Sequence, residues 1–194
     1  MSAQPKQLFT LEEYFALERS SERRFEYRDG EIFLMSGDTR QHGEIASNLI
    51  FTLRRYLSAK KCRVYGSDIA LFVPTAPPYR YPDVSVACGR AEFRRIEVLD
   101  ALVNPVLIAE VLSPTTENYD RGMKFEWYKS IPTFEEYLLI AQDRPHITQR
   151  TKQQDGSWLE RTIEGMEALL RLNSVGVELP LSEIYEGVEF EPAR

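Results

Sequence analysis

Cysteine is scarce in this sequence: there are two in 194 residues. Cys62 and Cys88 show neither metal-ligand spacing nor a disulfide framework, and both fall in or beside expected strands, so they read as reduced packing residues. Long hydrophobic runs are missing as well. Nothing approaches the roughly 18 apolar residues of a membrane-spanning helix, and Met1 to Phe9 carries no signal-peptide pattern, so a soluble cytoplasmic protein with no membrane partner is the expectation. There is no basic surplus either, because the formal net charge is −6. Nucleic-acid binders usually carry a basic excess, so this acidity weighs against that class without excluding it; the first third is slightly basic and the remainder acidic. No internal repeat and no low-complexity linker interrupts the chain, which is expected to form one domain over residues 1–194 with its core at about 41–140.

The composition that remains is that of a globular protein, 43% hydrophobic and 28% charged, long enough to bury a sizeable core. Thr10-Leu11-Glu12-Glu13 is a capping-box pattern and predicts a short helix over about 10–19. Phe25 to Arg28 and Glu31 to Met35 flank Asp29-Gly30, a strong signal for a two-residue hairpin turn, and Ser36-Gly37-Asp38 reads as loop. Ile45, Leu49, Leu53 and Tyr56/Leu57 step by three and four, which predicts an amphipathic helix over about 41–59. Residues 63–73 read as strand, 92–101 as a charged connection with a short helix, 118–130 as a helix stopped before Pro132, and 133–141 as strand. Residues 146–151 and 158–163 bracket Asp155-Gly156 as a hairpin, and 179–185 reads as a last short helix. The result is a mixed sheet flanked by helices, of α+β or α/β class, with hairpins toward both termini.

The chemistry concentrates between Tyr81 and Ile131. Val106 to Leu112 is an apolar run with one polar member, Glu110, and reads as a strand buried on both faces. A carboxylate there is costly unless something charged compensates it. Asp83 heads another apolar strand, Val84 to Cys88. Two acids at the same end of neighbouring central strands, followed by Lys124, suit a divalent-metal site. Structural roles compete at each position. Asp83 also suits a strand-initiating turn after Pro82, Glu110 a buried ion pair with Arg80 or Lys124, and Lys124 a surface pair with Asp120 four residues earlier. His42 suits a polar residue at a helix N-terminus; Tyr119, Trp127 and Tyr128 suit core or dimer contacts, and Trp158 hairpin packing.

The order Pro82-Asp83, then Glu110 within an apolar strand, resembles the PD-(D/E)XK restriction-endonuclease-like superfamily. A closer resemblance is to the bacterial Uma-two family of restriction-endonuclease-like proteins, a domain of unknown function. It is carried by Glu26-Tyr27-Arg28-Asp29-Gly30-Glu31-Ile32, His42, Arg80-Tyr81-Pro82-Asp83-Val84-Ser85, Ala109-Glu110-Val111-Leu112-Ser113-Pro114, Asp120-Arg121-Gly122-Met123-Lys124 and residues 131–140. This resemblance implies a nuclease-type site in which Asp83 and Glu110 bind Mg²⁺ or Mn²⁺ and Lys124 assists the attacking water. It also implies an extra carboxylate from Glu31 or Glu26, DNA as substrate, and self-association as a homodimer; no organic cofactor is implied. One departure stands out. The superfamily lysine sits two residues after the acid, and here that position is Leu112; a residue two along a strand shares the acid's face, so Lys124 would have to supply the function from the next helix. Ser113 and Asp120 are candidates for positioning Lys124 or the loop.

Three functional readings follow: a Mg²⁺-dependent endonuclease, a catalytically inactive nuclease-fold module that binds nucleic acid or protein, and a metal-dependent hydrolase of a small phosphate compound.

Overall fold

The computed structural model describes residues 8–35, 39–97 and 99–190; the expected loop at 36–38 lies outside the described residues. Helix α1 (Leu11–Ser20) opens at the capping box, where Thr10 and Glu13 exchange hydrogen bonds. Strands β1 (Phe25–Arg28) and β2 (Glu31–Leu34) pair antiparallel. Their turn residues Asp29 and Gly30 have φ of 47° and 90°, the left-handed pair that a tight hairpin requires and that Asp-Gly supplies at low steric cost. Helix α2 (Arg40–Tyr56) starts at Thr39, whose hydroxyl accepts from the His42 N–H, and buries Ile45, Leu49 and Leu53 completely.

Strands β3 (Cys62–Gly66) and β4 (Val84–Cys88) follow, then a hairpin of β5 (Phe93–Ile96) and β6 (Leu99–Leu102), then the central strand β7 (Leu107–Leu112). A broken helix leads to β8 (Glu136–Ala141), and β9 (His146–Lys152) and β10 (Trp158–Glu164) complete the main sheet. Its six strands run in the order β10-β9-β8-β7-β4-β3, antiparallel except for the parallel pair β7–β8. The chain closes with a hairpin of β11 (Leu169–Leu172) and β12 (Val177–Pro180) and the short helix α5 (Leu181–Ile184). The mixed α+β architecture matches the expectation.

Every residue of β7 is buried, so its alternate side chains build two cores. Leu107, Ala109 and Val111 face α2 and the closing hairpin. Ile108 and Leu112 face an aromatic layer that includes Phe125, Tyr128, Phe134 and Tyr137. Glu110 belongs to this second face by its position in the strand. Trp158 joins the same layer edge-on to Phe125 at 5.1 Å, the hairpin packing expected of it. A third, smaller cluster of Tyr14, Tyr79 and Tyr81 ties α1 and the first hairpin to the sheet.

Four expectations need correction. Residues 92–101 are not helical but form the β5–β6 hairpin, in spite of good helix formers. Phe72 N–H donates to Leu102 O at 2.9 Å and Leu102 N–H to Ala70 O at 2.8 Å, so pairing with a distant segment overrides local propensity. The strand expected at 63–73 ends at Gly66 and resumes only as isolated bridges from Leu71 to Arg80 and to Leu102. Residues 169–180, to which the sequence reading assigns no hairpin, form the closing β11–β12 pair. Finally, Cys62 and Cys88 are joined in a disulfide. The antiparallel register of β3 on β4 sets them directly opposite each other, with Cα atoms 3.9 Å apart, a proximity that sequence spacing does not reveal. Among the described residues, no helix is long and apolar enough to cross a membrane.

Candidate functional site

Antiparallel pairing of β4 with β7 matches Val84 to Ala109. The next pair outward would be Asp83 with Glu110, so the register alone brings the two acids to the same end of neighbouring strands. There the backbone ladder gives way to side chains. The Val111 N–H donates to Asp83 Oδ2 at 2.7 Å, and the Asp83 N–H donates to Glu110 Oε2 at 3.4 Å. His42, in the first turn of α2, reaches the same Asp83 oxygen through Nε2 at 3.2 Å. Its position is that of the expected N-terminal residue, and its ring is buried against the acid.

The helix after β7 is not continuous. Between α3 (Glu117–Tyr119) and α4 (Phe125–Tyr128), residues Asp120–Lys124 form a π-helical turn. Such widened turns recur at functional sites, and this one brings Asp120 and Lys124 inward together. Lys124 Nζ lies 2.8 Å from Glu110 Oε1 and 3.2 Å from Asp120 Oδ1, with all three side chains less than a tenth exposed. The Lys124–Asp120 pair is therefore buried, not a surface pair, because the π turn rolls both side chains under the helix. Tyr128 also donates to Glu110 Oε1, at 2.9 Å, and the Tyr137 hydroxyl donates to Asp120 O at 3.0 Å. Leu112 packs in the aromatic layer beside Phe125 and Tyr128. A lysine two residues past Glu110 would enter that apolar layer; Lys124 reaches the acid from across it.

Burial, offset only in part by the Lys124 ammonium and reinforced by Asp120 and Asp83, pushes the Glu110 carboxyl well above the usual carboxylate range. Burial alone would lower Lys124, but Glu110, Asp120 and Glu26 outweigh it and hold the ammonium charged.

These groups open on a cleft of about 160 Å³ whose walls include Glu26, Arg28, His42, Asp83, Glu110, Ser113, Tyr119, Asp120 and Lys124. The first hairpin supplies Glu26, not Glu31. Glu31 lies across from Arg28 at the turn end of the hairpin and is not part of the cleft wall. Glu26 is buried, accepts from Arg28 Nη2 at 2.9 Å, and takes long contacts of 3.4 Å from the Tyr81 N–H and the Tyr119 hydroxyl. Burial opposes its charge, yet Lys124, Arg28 and Arg80 together hold its pKa below the ordinary value. A carboxylate with a depressed folded pKa stabilises the fold above its unfolded pKa, near 4.5, and that contribution disappears as pH falls through the folded value. Glu26→Gln is therefore expected to lower the urea midpoint more at pH 7 than at pH 3; equal losses at both pH values would refute the ionic role.

Ser113 organises the loop after β7 rather than Lys124. Its hydroxyl lies 3.0 Å from Thr115 Oγ1 and 2.9 Å from Thr116 Oγ1, and its carbonyl accepts from the Glu117 N–H. Arg28 and Tyr119 are cleft residues to which the sequence reading gave no role in the site. Alternation along β1 from Glu26 was the available signal for Arg28.

Among the described residues, no group of three or more His, Cys, Asp or Glu side chains is gathered to hold a metal ion. Magnesium makes a smaller demand. It is commonly bound through one or two carboxylates with several waters retained. Asp83 and Glu110 offer two such hard oxygen donors on one wall, in a cleft that holds four carboxylates, so the donor chemistry suits a divalent cation.

A six-stranded mixed sheet, with paired acids and a lysine at the mouth of its central strands, defines a nuclease-like fold. A solved structure described as a putative nuclease belonging to DUF820 from Anabaena variabilis superposes with a TM-score of 0.71. It shares 18% sequence identity and covers 91% of this chain and 97% of that one. The family described as Uma2, putative restriction endonuclease, matches residues 11–182, and the chain belongs to it. Two uncharacterized proteins from Synechocystis sp. are similar in sequence. One is 33% identical over 179 residues (92% of each chain); the other is 32% identical over 161 residues, covering 83% of this chain and 90% of its own. Membership places the chain in a nuclease-like functional class.

Proposed function

We propose that this protein is a divalent-metal-dependent endonuclease that hydrolyses phosphodiester bonds in DNA. The observation that carries the reading is the convergence of Asp83, Glu110 and Lys124 on one cleft wall, with Lys124 Nζ 2.8 Å from Glu110 Oε1 and Asp83 tied by 2.7 Å to the backbone next to Glu110. Asp83 and Glu110 would hold Mg²⁺ or Mn²⁺. When bound, such an ion supplies Lewis acidity and neutralises charge developing on the phosphoryl group.

The chain's own residues supply the rest. His42 and the Val111 N–H hold Asp83 in place, and Tyr128 does the same for Glu110. Asp120 keeps the Lys124 ammonium beside Glu110, where it can orient and polarise the water that attacks the phosphorus. Ser113 and the threonines after it shape the rim on which the substrate would rest. The acidic cleft repels an anionic substrate until cations neutralise it, which accounts for an acidic protein acting on an acid.

One observation favours a second reading, a nuclease-fold module without activity: Lys124 pairs with both Glu110 and Asp120, as a purely structural ion-pair cluster would. The two readings separate in one experiment. Mn²⁺ is titrated calorimetrically into wild type and Asp83→Asn, and nicking of supercoiled plasmid is followed on the same samples. Metal-dependent nicking in wild type, lost with metal affinity in the variant, is the expected result. A wild-type protein that binds no Mn²⁺ and nicks nothing overturns the endonuclease reading in favour of the module.

A further inference from the structure

Of the basic side chains that line the cleft, two are already engaged in its wall. Lys124 is buried between Glu110 and Asp120, and His42 is held against Asp83. Arg28 differs: its side chain lines the cleft and keeps 24% of its surface exposed. It is also held in one orientation. Nε and Nη2 both donate to Glu26 Oε2, at 3.2 and 2.9 Å, and the guanidinium lies over the Tyr119 ring at 3.5 Å and near the Phe33 ring at 4.5 Å. An arginine anchored along one edge and clamped between two rings has already lost most of its rotational freedom, so little is lost again when it meets a ligand.

Glu26 does not depend on Arg28 alone for its countercharge, since Lys124 and Arg80 also act on it. The charge of Arg28 is thus available to a second anion. We infer that Arg28 is the phosphate-binding residue of this cleft, engaging a phosphodiester oxygen of the nucleic-acid substrate and setting that group against the Asp83–Glu110 wall. This rests on the endonuclease reading and adds to it the group that recognises the substrate, at a position outside the acid–acid–lysine set.

The test uses full-length wild type, Arg28→Gln and Arg28→Lys. Glutamine keeps a hydrogen-bonding side chain toward Glu26 and removes the charge; lysine keeps the charge and loses the planar fork. Binding of a fluorescent oligonucleotide is measured by anisotropy in Ca²⁺ across a salt series, Mn²⁺ affinity by calorimetry, nicking in Mg²⁺ as kcat and KM, and Tm for each protein. Arg28→Gln is expected to weaken oligonucleotide binding at least about tenfold and to reduce the salt slope by about one. KM should rise more than kcat falls, with Mn²⁺ affinity near wild type and Tm lowered because Glu26 loses one of its countercharges; Arg28→Lys should fall between. If wild type nicks plasmid and Arg28→Gln binds and cleaves equally well, the Arg28 assignment fails and the endonuclease reading stands. If Arg28→Gln loses Mn²⁺ affinity while Arg28→Lys restores it without its own loss of DNA binding, Arg28 is structural and the assignment fails. If wild type neither binds the oligonucleotide nor nicks, both fall together.

Discussion

Replacing Glu110 by glutamine is expected to remove Mn²⁺ binding and plasmid nicking while leaving the protein folded. The residue stands in the central strand, 3% exposed, and its two oxygens meet Lys124, Tyr128 and the Asp83 backbone. Glutamine preserves the shape and can still accept from Tyr128 and Lys124. It cannot give a cation a second negative oxygen. If Asp83 and Glu110 hold the ion as proposed, loss of one of the two carboxylates is expected to weaken metal affinity by more than about 100-fold, beyond what is typical for losing only a supporting partner. Nicking should fall by at least about 10³-fold, the scale seen when a preorganised electrostatic contact to the transition state is removed. Stability should change little. Burial already works against the Glu110 charge, so the cost of removing its attraction for Lys124 is offset by removing a desolvated carboxylate, and Asp120 remains to pair with the lysine. Calorimetry with Mn²⁺ and urea unfolding on the same preparation decide the matter. Unchanged metal affinity would make Glu110 a purely structural ion-pair member.

Lys124→Met should be the most destabilising single change in the site. It leaves Glu110 and Asp120 buried with their shared cation gone and brings Glu26 closer to the same condition. Breaking a buried pair from one side costs about 3–5 kcal/mol. At roughly 2–4 °C per kcal/mol for a chain of this size, Tm should drop by about 6–20 °C. The pH dependence has a definite sign. In wild type a lysine with a raised folded pKa stabilises the fold fully below its unfolded value near 10.5, and the effect is lost only as pH rises through the folded value. In the variant the Glu110 carboxyl, already pushed up by burial, loses the ammonium that opposes that shift, so the defect is largest at neutral pH and shrinks as acid protonates the stranded group. Urea midpoints at pH 5 and pH 8 check this; equal losses at both would show that the defect is one of packing. Saturating Mn²⁺ should restore part of the lost stability at pH 8, because a cation at Asp83 and Glu110 replaces some of the missing charge. A double variant, Glu110→Gln with Lys124→Met, should lose less than the sum of the two changes, since the groups touch.

Much of this molecule is determined by short-range physics that the sequence displays. Asp-Gly demands a left-handed pair of residues and makes the first hairpin. Thr10 and Glu13 close their own capping box, and the three-and-four spacing of Ile45, Leu49 and Leu53 defines the buried face of α2. The single acid in the Val106 to Leu112 run marks the site because a desolvated carboxylate without a partner would be too costly to keep. What the sequence could not show is what depends on register and on contact between distant segments. Cys62 meets Cys88 only because β3 and β4 pair residue for residue. The helix formers at 92–101 become a hairpin because Ala70 and Phe72 offer hydrogen bonds to Leu102. Lys124 and Asp120 look like a surface pair until a π turn rolls both under the helix, and Arg28 joins the cleft because the hairpin, two rings and Glu26 aim it there. Local propensity and hydrophobic period act within a few residues; charge compensation, strand register and the shape of a cleft exist only once the chain has folded back on itself.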